Sequence, residues 1–174
     1  MVPWKIARSH RSPDQQNTTI RNCKIINNVC KYEGGAIYVC NDGNFIDGCI
    51  ITGNACSVDS GGNYEGGAVF VWHSYDIKLG GVCVIKNNTR GKNGSADDVF
   101  LREDFWSSTK AYITGSLSTG STVGVRTGMT DDRRIAKNFK PDSKDCLFID
   151  LDGYYVSYGN DEGGDAWQRQ EGAD

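Results

Sequence analysis

Short apolar stretches in period-two alternation, each closed by Asn or Gly, run through the chain from about residue 18. Cys23 and Ile25 share one face of such a stretch, and Cys49 with Ile51 and Cys83 with Ile85 repeat the arrangement. Ile37 with Val39 and Val69 with Val71 alternate in the same way. Side chains two apart on a strand point to the same side, so the pattern predicts short strands with an inward apolar face. The pieces are too short for helices.

The stretches are also copies of one another. Cys23-Lys24-Ile25-Ile26-Asn27-Asn28-Val29-Cys30 returns as Cys49-Ile50-Ile51-Thr52-Gly53-Asn54-Ala55-Cys56 and as Cys83-Val84-Ile85-Lys86-Asn87-Asn88-Thr89-Arg90. Downstream of the first two copies, Glu33-Gly34-Gly35-Ala36-Ile37-Tyr38-Val39 matches Glu65-Gly66-Gly67-Ala68-Val69-Phe70-Val71, and Ala96-Asp97-Asp98-Val99-Phe100-Leu101 follows the third in weaker form. Two motifs in fixed order, at uneven steps of similar size, predict coils that each make one circuit and stack on the coil before, about 4.8 Å away. The expected fold is therefore all-β, a single-stranded parallel β-helix. Asn28, Asn54 and Asn88 recur where the chain must turn. Asn tolerates the left-handed conformation and its amide can bond its counterpart one coil away, so a structural asparagine ladder is expected there. Tyr38, Phe70 and Phe100 occupy matching places and predict an aromatic stack on the face opposite Ile37, Val69 and Val99.

These residues carry a resemblance. Gly34 to Val39 and Gly66 to Val71, with Ile51-Thr52-Gly53-Asn54-Ala55 between them, are similar to the repeats of bacterial surface right-handed parallel β-helix proteins. That group includes the polymorphic autotransporter passengers and, with the closer likeness, the adhesin-like proteins of anaerobic gut Firmicutes. Leu79 to Thr89, Ile113 to Leu117 and Gly120 to Val125 look like the closing coils of such proteins, and the resemblance spans roughly residues 18 to 158. It implies a right-handed β-helix in an extracellular or cell-surface protein, part of a longer precursor, with no shared catalytic motif. The extra residues from Ser57 to Tyr64 and the cysteine-rich columns depart from the pattern.

Residues 1–17 read as a disordered or truncated N-terminal segment, 18–119 as β-helix coils, 120–158 as the terminal coil with a β cap, and 159–174 as an acidic flexible tail. Within the cap, Cys146 to Ile149 and Tyr154 to Tyr158 flank Asp152-Gly153, which predicts a hairpin. No signal peptide is legible in the first residues, and no apolar run is long enough to cross a bilayer. Twenty-two glycines and 3 prolines agree with many tight turns. A net charge of −3 without a basic stripe argues against nucleic acid as a partner.

Seven cysteines in a secreted protein suggest disulfides. Here Cys23, Cys49 and Cys83 fall in one column and Cys30 and Cys56 in another, and parallel Cβ vectors together with an odd count favour buried, reduced thiols. Repeat copies account for the cysteine spacing without zinc. Asp150-Leu151-Asp152-Gly153 fails a calcium-loop pattern, with Phe148 at the first place and Gly159 at the twelfth. No metal or cofactor is expected. Many parallel β-helices degrade polysaccharides with clustered carboxylates and a base. If this one does, its catalytic residues come from Asp97, Asp98, Arg102, Glu103 and Asp104, or from Asp131, Asp132, Arg133 and Arg134. Neither set recurs in a column with a second acid, and paired acids at a strand entrance read as solvated turn residues. Trp72, Tyr75 and Trp106 are candidate glycan contacts, against the plainer role of covering the core. The function expected is a non-catalytic, adhesin-like or stalk-like module that contacts carbohydrate or a host or bacterial surface. A polysaccharide lyase or glycoside hydrolase is the alternative.

Overall fold

The structure, a computed structural model, describes residues 17–56, 65–72, 74–103, 110–128, 133–159 and 164–172. Its strands come in successive groups. The first group is β1 (Thr19–Arg21), β2 (Lys24–Ile26), β3 (Val29–Cys30) and β4 (Ile37–Val39), and the second is β5 (Asn44–Asp47), β6 (Ile50–Thr52), β7 (Ala55–Cys56) and β8 (Val69–Val71). The third holds β9 (Asp76–Gly81), β10 (Val84–Lys86), β11 (Thr89–Arg90), β12 (Ser95–Ala96) and β13 (Val99–Leu101). Then follow β14 (Tyr112–Leu117), β15 (Thr122–Thr127), β16 (Arg133–Phe139), β17 (Leu147–Ile149), β18 (Tyr154–Tyr158) and β19 (Ala166–Gln170). The chain is all-β: among the described residues the only helical piece is a 3-10 turn at Lys144–Cys146.

Pairing is mostly parallel, between like segments of neighbouring groups. One sheet runs β1-β5-β9-β14-β16-β19-β18, a second runs β2-β6-β10-β15-β13-β8-β4 with β17 also on β15, and a third runs β12-β11-β7-β3. In the second sheet Lys24, Ile50 and Val84 are aligned, and so are Ile37, Val69 and Val99. The last strand pairs of the first sheet, β16 with β19 and β19 with β18, are antiparallel. β15 joins two columns at once, with Thr122 and Val123 beside β10 and Val125 to Thr127 beside β13. It crosses directly because the third sheet stops at the antiparallel β11–β12 pair.

The inward positions form one apolar core that includes Ile46, Ile51, Ile85, Val69, Val71, Val99, Leu101, Ile113 and Val123. The strands stay short because left-handed residues interrupt them at regular places. Asn27, Gly53 and Asn87 have φ of 55°, 66° and 59°, and an L side chain in that region cannot continue a strand. This corrects the expectation for the ladder asparagines. The left-handed residue lies one position upstream, which leaves Asn28, Asn54 and Asn88 free to aim their amides at the neighbouring segment.

Two further expectations change. Gly153 does turn, with φ 79°, but the strands on either side are not partners: β17 lies parallel to β15, and β18 pairs with β19. The tail is not wholly flexible, since β19 brings fully buried Ala166 and Gln168 into the sheet. An inward glutamine, bonded to Thr127 at 3.4 Å, conceals the alternation that would have announced that strand.

Candidate functional site

Three asparagines and two aspartates form one hydrogen-bonded line from strand to strand. The backbone N–H and the side-chain amide of Asn28 both donate to Asn54 Oδ1, each at 3.0 Å. Asn54 does the same to Asn88 Oδ1, at 2.9 and 3.0 Å. Asn88 in turn donates both groups to Asp98 Oδ1, at 2.8 and 2.7 Å, and the Asp98 N–H donates to Asp150 Oδ2 at 2.7 Å. The line thus passes from amides to carboxyls. The carboxyls of Asp98 and Asp150 both lie against Gly124 and each influences the other's titration. Gly124 on β15 makes room for the pair, because a Cβ there would run into carboxylate oxygens of both.

Burial sets the electrostatics. It pushes the Asp150 carboxyl up to about 8, and the charge of Asp98 adds to the shift. Asp98 is raised as well, by burial first, against the bonds it accepts from Asn88. Asp97 points into a separate charged cluster, where Arg126 Nε lies 3.2 Å from its Oδ1 and Gly66 N–H donates to its Oδ2 at 2.7 Å. Arg126 also holds Glu65 at 2.8 Å, and Arg90 stands 3.7 Å from Asp97. Burial raises Asp97 and Glu65 more than Arg126 lowers them.

Asp97 and Asp98 are therefore not solvated turn residues: they are 0% and 1% exposed. Asp97 occupies a place held by glycine in the two earlier copies, Gly35 and Gly67, and its carboxylate closes against a backbone amide and two guanidinium groups. A general acid or base has to reach a substrate atom. Asp98 instead has its Oδ1 engaged by two donors of Asn88, while its backbone N–H donates to Asp150. The arrangement holds a proton and ties β13, β15 and β17 together.

No family model, no curated protein and no solved structure matches the chain. The candidate residues are thus placed by geometry alone. Tyr38, Phe70 and Phe100 stack, with ring centroids 5.2 and 5.7 Å apart, and the Arg126 guanidinium continues the column 4.8 Å above Phe100. Trp72 lies beside Tyr38 and Phe70 with Arg102 4.5 Å over its ring, and Tyr75 packs against the core. Arg133 is paired with Glu103 at 3.5 Å. Asp131, Asp132, Asp104 and Trp106 lie outside the described residues. All seven cysteines carry free thiols. The Cys23 backbone N–H faces Cys49 Sγ at 3.5 Å, and Ser121 Oγ takes the next place, accepting from Cys83 N–H at 3.1 Å.

The sequence reading missed Arg126, Glu65 and Asp150. Glu65 was visible as the repeat of Glu33. Asp150 had been weighed only as a calcium ligand, and nothing in the chain signals that it meets Asp98.

Proposed function

We propose that the chain folds as a right-handed, single-stranded parallel β-helix and serves as a non-catalytic module of a cell-surface or secreted protein, stalk-like or adhesin-like, akin to the β-helix proteins it resembles. The observation that carries this is the in-register parallel pairing of equivalent segments, Lys24 with Ile50 with Val84 and Ile37 with Val69 with Val99. Stacks in which each unit contacts its neighbours are stiff along one axis and hold their surface residues at fixed spacing, which suits display. The acids offer support from another side. Asp97 and Asp98 are closed off in hydrogen bonds where a glycosidase or lyase needs carboxylates open to a groove.

Incubation with neutral and acidic polysaccharides should release neither reducing ends nor unsaturated uronates. Degradation that disappears in Asp97→Asn or Asp98→Asn would overturn the non-catalytic role. Antibody to the chain should label intact cells of the source organism; signal only after lysis would overturn the surface location.

A further inference from the structure

The first group of strands keeps one edge open. β1, β2, β3 and β4 are each the last strand of a row, and among the described residues nothing pairs with their free side. The Cys23 carbonyl, the Asn27 N–H and the Asn28 carbonyl are spent on the second group, so the alternating peptide groups of Lys24, Ile26 and Val29 face away from it. Ile26, Val29 and Tyr32 are exposed along this edge. Unpaired peptide groups beside exposed apolar side chains form a template for one more strand.

The line of amides has a direction, and the direction selects the occupant. Asn54 Oδ1 and Asn88 Oδ1 each accept two hydrogen bonds, from the backbone N–H and the amide of the asparagine before. Asn28 gives both of its donors to Asn54, and its own Oδ1 accepts none among the described residues. A strand completing the edge therefore has to bring an asparagine, with a residue that tolerates the left-handed backbone just before it, as at Asn27, Gly53 and Asn87. Charge adds a second requirement. Lys24 and Lys31 are exposed at the outer ends of β2 and β3 and meet no carboxylate among the described residues, while Arg21 is balanced by Asp47.

The chain itself supplies no such strand. A second copy set edge to edge brings another bare oxygen and the same lysines, and the far end of the line closes on Asp150, which has no amide to give. Residues 1–16 contain no asparagine and carry Lys5, Arg8 and Arg11 against Asp14 alone. We propose that this edge accepts a strand from another polypeptide, added parallel to β2 and β3. It places an asparagine over Asn28, glycine or asparagine over Asn27, apolar residues over Ile25 and Cys30, and acids over Lys24 and Lys31. Strand addition of this kind requires only the parallel pairing, and holds whether or not the chain stands on a cell surface.

The probe is the end-blocked peptide Glu-Ile-Thr-Gly-Asn-Ala-Val-Glu, titrated into the isotope-labelled full chain and followed by NMR. It should shift the amides of Lys24 to Lys31 saturably and leave those of β17 to β19 in place. Leucine for the peptide's asparagine should weaken binding about tenfold, as loss of two hydrogen bonds does. Lys24→Glu should weaken it about threefold at low salt without lowering the melting temperature, and a peptide with lysine for its first glutamate should recover the loss. No saturable shift, equal binding of the leucine peptide, or no recovery in the charge swap would each overturn the proposal. Protection of the Ile26 and Val29 amides from hydrogen exchange in the free chain would overturn it as well. In a monomer that protection would assign the edge to residues 1–16, and in a dimer to a second copy.

Discussion

The raised carboxyl of Asp150 makes stability depend on pH in a definite direction. With Asp150 raised to about 8, the folded chain holds a proton that the unfolded chain, with a carboxyl near about 4, gives up. Folding is therefore favoured below that lower value, and the contribution is lost as pH rises from about 4 through about 8. Asp97, Asp98 and Glu65 are raised by burial and act in the same sense. Asp150→Asn would continue the amide line by one more member, accepting from Asp98 N–H and donating to its carboxylate. In urea unfolding followed from pH 4 to 8.5 it should flatten the slope and raise the midpoint at the alkaline end. An unchanged midpoint at pH 8.5 would remove the acid pair from the account.

At the level of elements, β15 holds the molecule together because it pairs with β10, β13 and β17 at once. Gly124 is its most constrained position, lying directly against the two carboxyls. Gly124→Ala should lower stability by about 1–3 kcal/mol, the usual cost of overpacking a filled site, measured by chemical denaturation. The same change at Gly91, which has open space for a Cβ, tests only the strain of its left-handed backbone at φ 65°. β19 carries a different lesson. Its inward residues are Ala166 and Gln168, a small residue and an amide, so the strand does not show in a hydrophobic pattern and forms because β16 and β18 offer it hydrogen-bonding edges.

Across the whole molecule, burial deepens from the first group of strands to the second and third. Cys23 is exposed while its counterparts Cys49 and Cys83 are buried, as are Cys56 and Cys146. Burial also pushes the thiols of Cys49, Cys83 and Cys146 up, away from the reactive thiolate. Alkylation of the native protein followed by mass spectrometry should modify Cys23 first, and Cys49, Cys56, Cys83 and Cys146 only after unfolding. Rapid native modification of Cys83 would mean that the core opens. The all-β class and the parallel pairing of like segments were legible in the chain, because period-two alternation and residue-for-residue copies are local properties that backbone geometry turns directly into strands. The equivalence of Asn28, Asn54 and Asn88 comes from the same copies, whereas the left-handed turn expected at them lies one residue upstream, at Asn27, Gly53 and Asn87. What only the tertiary structure decided is which charged groups meet: Asp98 with Asp150, and Arg126 with Asp97 and Glu65. Charge burial depends on distance through space, and no local pattern records that two aspartates, far apart in the chain, arrive beside one glycine.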